Sequence, residues 1–235
     1  MSARFEELDW NRTPMGEISL RRRREPRLDV DVFEAKLGDE FLMSSLFTVA
    51  EVELARLGLQ QTPGDRLDVL VGGLGLGYTA VAALDDPRVH SLTVVEALPE
   101  VVGWHQRGLL PLSARLTGDS RVRLVVADFF GTVGSGLALE AGPSDFDALL
   151  VDIDHSPRHV LDINHAVFYS AAGQRRMKKR IRPGGVFALW SDDPPDDEFT
   201  ALLEAEFATS SANVVAFDNV LTGGTSANTV YVATA

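Results

Sequence analysis

The chain has 235 residues, 45% of them hydrophobic and 24% charged, a formal net charge of −12 and no cysteine. That composition fits a globular protein with one ordinary core plus an appendage, and it lacks the basic surface that general nucleic-acid binding needs. Without cysteine there are no disulfides, thiolate metal sites or cysteine nucleophile.

No apolar run reaches membrane-spanning length, and MSARFEELDW has no signal-peptide pattern, so the expectation is a cytoplasmic protein without a membrane partner. The acidic balance is compatible with a cationic substrate and equally with solubility alone. Residues 1–63 do not read as a nucleotide-binding fold. GEISLRRRR (16–24) and LDVDVFEAKLG (28–38) predict two short strands joined near Glu25-Pro26, the second alternating at Val30 and Val32. Arg21, Arg22, Arg23 and Arg24 fit the charged edge of a hairpin better than a nucleic-acid patch. A helix over about 44–57 follows, with Leu46, Val49, Ala50, Leu54 and Leu57 on one stripe.

The second region, 64–235, opens with LDVLVGGLGLGYT. Leu67 to Val71 read as a buried strand, Gly72, Gly73, Gly75 and Gly77 follow at once, and Tyr78 to Leu84 continue as a helix. Strand, glycine turn and helix form the nucleotide-binding βα unit, in which glycine lets backbone approach a ligand closely. The spacing is G-x-G-x-G rather than G-x-G-x-x-G, and no P-loop lysine follows. A tight turn without a phosphate cradle suits a nucleoside with an amino-acid-like tail.

Beyond it, strands are expected at 91–97, 122–127, 148–151, 186–191, 213–217 and 229–233. Helices are expected at 99–108, 164–181 and 195–208, with Pro183-Gly184-Gly185 breaking the second of them. A glycine-rich connection or short helix fills 131–142. Alternation of this kind implies a parallel sheet covered on both faces. The link between the last two strands is too short for a parallel crossover, so the last strand should run antiparallel.

Ligands of such sheets bind at the carboxyl ends of the strands, and four of those ends carry acids. Glu96 ends the second strand and can accept the two hydroxyls of a ribose. Asp128 ends the third, beside Phe129 and Phe130, a combination that suits an adenine. Asp152 ends the fourth, nearest the reacting end of a ligand over the glycine turn, and can hold an amine and take its proton. Asp154 and His155 follow it and can tune that proton transfer. Asp192 and Asp193 end the fifth strand in a proline-stiffened acidic loop that attracts amines. Strand-end caps explain any one of these acids alone. His155, His159 and His165 raise a metal reading, but their irregular loop spacing argues against it, and no metal is expected.

Taken together the residues resemble the spermidine synthase family, aminopropyltransferases built on the class I methyltransferase fold. GDEFLMSSLFTVAE resembles the family's small β domain and link helix. GGLGLG aligns with its GGGDGG, VVEALPEVV with its V-E-L/I-D stretch, and VVADFF with its adenine segment. FDALLVDIDHSP, followed by Phe168-Tyr169, resembles YDVII-D-S-x-D-P with a following FY. The resemblance implies a Rossmann-like α/β fold with a seven-stranded mixed sheet and a small N-terminal β-hairpin and helix region. It implies nucleoside contacts from Gly72, Gly73, Gly75, Gly77, Glu96, Asp128 and Phe129, and catalysis at Asp152 with Asp154 and His155. Asp192, Asp193 and Tyr169 fall at the amine substrate. The family often forms dimers or tetramers, which allows a homodimer with N-terminal hairpins extending a sheet across subunits.

Three departures stand out. The aspartate of GGGDGG, which in the family helps bind the donor's aminopropyl amine, is Gly75 here. The family's second aspartate falls on His155, with Asp154 one residue off. The following loop, HSPRHVLDINHA, lacks the DPxGPA spelling. Three functions are therefore carried forward. The first is aminopropyl transfer from decarboxylated S-adenosylmethionine to a small-molecule amine such as putrescine, a step of polyamine biosynthesis. The second is a small-molecule methyltransferase using S-adenosylmethionine itself. The third is a non-catalytic nucleoside-binding paralogue.

Overall fold

A computed structural model of the chain describes residues 5–235. The N-terminal region forms a four-stranded antiparallel sheet in chain order: β1 (Phe5–Thr13), β2 (Gly16–Glu25), β3 (Val30–Leu37) and β4 (Glu40–Ser44). Only two of these strands were legible in the sequence, one of them by its alternation. β1 is so rich in polar residues that its half-buried face leaves no hydrophobic period, and it carries a bulge between Glu7 and Asp9. β2 is an inner strand rather than a charged edge. Its arginines pair across the sheet: Arg22 with Glu6 at 2.5 Å, Arg23 with Glu34 at 2.7 Å, and Arg24 with Asp31 at 3.2 Å.

Helix α1 runs over Val49–Gln61, later than the apolar stripe alone suggests, because Met43 and Ser44 still pair with β3. Pro63 follows its end. Gly58 lets α1 press on the second sheet: a Cβ there would lie 2.7 Å from Leu150 Cδ2.

The second sheet has seven strands in the order β10-β11-β9-β8-β5-β6-β7. These are β5 (Leu67–Gly72), β6 (Val89–Glu96), β7 (Val122–Val126), β8 (Phe146–Val151), β9 (Ile181–Ser191), β10 (Thr209–Asn219) and β11 (Gly224–Thr234). β5 to β9 are mutually parallel, and β11 is antiparallel to both β9 and β10, as the short final link requires. Helices α2 (Tyr78–Leu84), α3 (Pro99–Gln106), α4 (Ser113–Gly118), α5 (Ala171–Lys178) and α6 (Asp197–Glu206) complete the α/β layers. Apolar cores fill both faces of the sheet, with Leu54, Val69 and Leu92 in one and Leu149, Phe187 and Tyr231 in the other.

Three elements differ from expectation. The long helix over 164–181 is instead a 3-10 turn, Ile163–Val167, and then α5. The Ser170 side chain accepts from the Gly173 amide at 3.1 Å and starts a new helix there. Pro183-Gly184-Gly185 lies inside β9, where the register against β8 shifts. α4 is short and carries no long apolar period, and no helix was assigned to it from the sequence.

Candidate functional site

Chain order reverses at β5: β6 and β7 lie on one side, β8 and β9 on the other. Sheets of this kind open a crevice at that switch point. A cavity of about 730 Å³ lies there, bounded by the carboxyl ends of β5, β6, β8 and β9, the start of α1, strand β4 and the β10–β11 hairpin.

The glycine turn forms one wall. Gly73, Gly75 and Gly77 have φ of +93°, +47° and +93°, a region that side chains disfavour. At Gly73 the requirement is also steric, since a Cβ would stand 2.0 Å from the Asp152 carbonyl oxygen. Gly72 packs against the Phe129 ring, and Gly75 lies under the Met43 thioether, 2.9 Å from where a Cβ would be. His105, fully buried on α3, braces the turn through Nε2 to the Gly75 carbonyl at 2.9 Å. Burial pushes its imidazole down in pKa, so the neutral form donates that bond.

Glu96 lines the cavity at the end of β6. Its two oxygens accept the Leu74 and Leu98 amides, each at 3.0 Å. Burial raises the carboxyl's pKa, and the amide bonds act in the opposite direction. Asp128, exposed, lines the same cavity with Phe129 and Phe130. The Phe130 ring stacks on His165 with centroids 3.9 Å apart.

Asp152 ends β8 beside the glycine turn. Its amide donates to the Gly72 carbonyl at 2.8 Å, and its Oδ2 accepts the Thr79 hydroxyl at 2.7 Å. Burial raises its pKa to about 6, against the pull of that hydroxyl. Glu51, in the first turn of α1, faces the same space. Its pKa is raised to about 8, chiefly by burial and then by the nearby charges of Asp152 and Asp192. Asp192 completes the acidic group, held by Asn228 Nδ2 at 2.7 Å. His155 also lines the cavity and pairs with Glu40 at 3.2 Å.

The remaining sequence candidates lie elsewhere. Asp154 is buried and turned into the segment that follows it. It accepts the Leu161 amide and His165 Nδ1 at 2.8 Å each and the Tyr169 hydroxyl at 2.9 Å. Tyr169 is buried with it, outside the cavity lining, and burial first, then the Asp154 charge, drives its pKa well above the usual phenol range. Asp193 turns outward to His159 at 2.8 Å, and the Ser156 hydroxyl first, then His159, hold its pKa down. The three histidines of the metal reading thus go to three different carboxylates. Among the described residues no group of three or more acids and histidines is arranged to hold a metal ion.

Glu51, Thr79 and His105 escaped the sequence reading of the site. Glu51 carried a faint signal, a single acid beside an apolar stripe in the TVAE stretch. Thr79 and His105 sit in ordinary amphipathic helices, and only the fold turns them toward the glycine turn.

No protein-family model and no curated protein sequence matches the chain. Solved structures do. The spermidine synthase of Thermotoga maritima superposes with a TM-score of 0.71 at 16% identity, over 97% of this chain and 72% of that one. A spermidine synthase in complex with the transition state analogue AdoDATO superposes with a TM-score of 0.71 at 15% identity and the same coverage. The chain therefore has the fold of spermidine synthase, with its seven-stranded mixed sheet and small N-terminal antiparallel sheet.

Proposed function

We propose that the protein is an aminopropyltransferase, moving the aminopropyl group of decarboxylated S-adenosylmethionine onto an amine and releasing methylthioadenosine. The observation that carries the reading is the trio Glu51, Asp152 and Asp192, three carboxylates facing one cavity beside a glycine turn. Burial raises the carboxyl pKa values of Asp152 and Glu51, and for Glu51 the neighbouring acids add to it; a bound cation would favour the charged forms. The likeness to spermidine synthases, one of them in complex with a transition state analogue, supports the same class.

In this reading the glycine turn lies against the nucleoside and its sulfonium side chain, with no Cβ in the way. Glu96 accepts the ribose hydroxyls. Asp128 accepts from the adenine amino group, and Phe129 supplies its apolar floor. The attacking amine arrives as an ammonium, because its pKa is near that of lysine, about 10.4. Asp152 pairs with it and accepts its proton, a task for which a pKa near 6 is better matched than an ordinary carboxyl. The freed nitrogen lone pair then forms the N–C bond to the methylene next to sulfur. The C–S bond breaks, and its electron pair turns the sulfonium into a neutral thioether. Thr79 orients Asp152. Asp154 is a positioning residue that fixes the segment carrying His155 and His165. No residue of this scheme needs a metal.

One observation favours a second reading, methyl transfer from S-adenosylmethionine. Gly75, under Met43, gives the turn itself no acidic side chain, so a donor that keeps its own carboxylate meets one acid fewer there. Calorimetry with both donors separates the two. The aminopropyl reading expects the decarboxylated donor to bind at least tenfold tighter, and tighter binding of S-adenosylmethionine would favour methyl transfer.

A further inference from the structure

The cavity has two halves of opposite character, and the half that would receive the acceptor is apolar beyond its acidic end. β4, the segment after it and β10 contribute Phe41, Leu42, Met43, Phe47 and Phe217, all left half-buried or exposed. Phe47 and Phe217 pack together with ring centroids 5.7 Å apart at 35°. Their position relative to the carboxylates follows from the sheet register. Asn228, which holds Asp192, stands opposite Val215, and Ser226 stands opposite Phe217. Phe217 is thus one pleat further out, about 7 Å along the strand. Glu51 lies four residues after Phe47, in the first turn of α1. The aromatic pair therefore stands one step outward from the acidic trio on two separate elements.

We infer that the acceptor is a primary amine carrying an aromatic group two or three carbons from its nitrogen, with the ammonium at Glu51, Asp152 and Asp192 and the ring against Phe47 and Phe217. This rests on the amine-transfer reading above and names its acceptor class. A linear diamine fits this half poorly. Its second ammonium would leave water for phenyl rings, and β10 and β11 contribute no charged residue to the lining. Asn219, the nearest amide on β10, is already committed: its Nδ2 donates to Ser226 Oγ at 2.9 Å, and its Oδ1 accepts the Leu221 and Thr222 amides at 3.1 Å. An aromatic ring would instead cover apolar surface that the protein leaves open, adding edge or offset stacking.

The test is calorimetric titration of the full chain with 2-phenylethylamine and with putrescine at pH 8, with and without saturating methylthioadenosine. The expected result is at least tenfold tighter binding of 2-phenylethylamine. Phe217→Ala should weaken it about tenfold while leaving putrescine unchanged, and Phe47→Leu should lower the same preference from the helix side. Putrescine binding as tightly or more tightly, no binding of either amine, or a preference that both variants leave intact would overturn the inference. Its fate is separable from that of the reaction. Preferred binding of the aromatic amine with no methylthioadenosine released from the decarboxylated donor would sink the transfer reading and keep the site. Release with putrescine as the better ligand would do the reverse.

Discussion

At the scale of single residues the proposed reaction rests on Asp152 and Glu51, and their environments separate their tasks. Asp152, at the strand end and bonded to Thr79, is the better proton acceptor near neutrality; Glu51, also desolvated and facing two other acids, holds a proton to about pH 8. Asp152→Asn keeps the shape and removes the base, so turnover should fall roughly 10²–10⁴-fold with methylthioadenosine affinity unchanged in calorimetry. Glu96→Ala should instead weaken methylthioadenosine by about 1–3 kcal/mol, because ribose hydroxyls would lose a charged acceptor. For Glu51 the sign is set by a folded-state pKa above the unfolded one. Its stabilising contribution is complete below about pH 4.5 and is lost as pH rises toward about 8. Glu51→Gln should therefore raise the thermal midpoint of the unliganded protein at pH 8 and change it little at pH 4.5, read by differential scanning calorimetry. A parent and variant with parallel midpoints across that range would remove Glu51 from the acidic group.

Among the elements, the glycine turn and the segment after β8 do the positioning. Gly73→Ala would force a side chain into left-handed backbone and against the Asp152 carbonyl. A loss of about 2–4 kcal/mol in denaturant unfolding is expected. Asp154 ties residues 155–169 to β8 through three hydrogen bonds. Asp154→Ala should raise the rate of proteolytic nicking within that segment and raise KM more than it lowers kcat. Much of this layer was legible in the sequence. The strands of the second sheet stand out as short apolar runs bounded by turns, and the antiparallel last strand followed from the length of its link. The N-terminal sheet was half hidden, because ion-paired arginines and glutamates cover its faces and erase the alternation. The break before α5 was hidden too, since Ser170 starts a new helix inside a run that contains no proline and reads as continuous helix.

Across the whole molecule, function depends on two sheets meeting over one cavity. Local signals marked the acids at strand ends, but a strand end does not say which way its side chain turns. Asp152 and Asp192 face the cavity, whereas Asp154 and Asp193, one or two residues away, face their own loops. Glu51 and the Phe47–Phe217 pair come from chain segments far apart in sequence, so their convergence is a property of the fold and had no local signal. Among the described residues no helix is long and apolar enough to cross a membrane.

The most direct test of aminopropyl transfer is a single incubation with equal concentrations of S-adenosylmethionine and its decarboxylated form, plus 2-phenylethylamine and putrescine, analysed by mass spectrometry. The expected products are methylthioadenosine and an amine heavier by one aminopropyl group, with neither formed by Asp152→Asn. S-adenosylhomocysteine and a methylated amine as the products would contradict it.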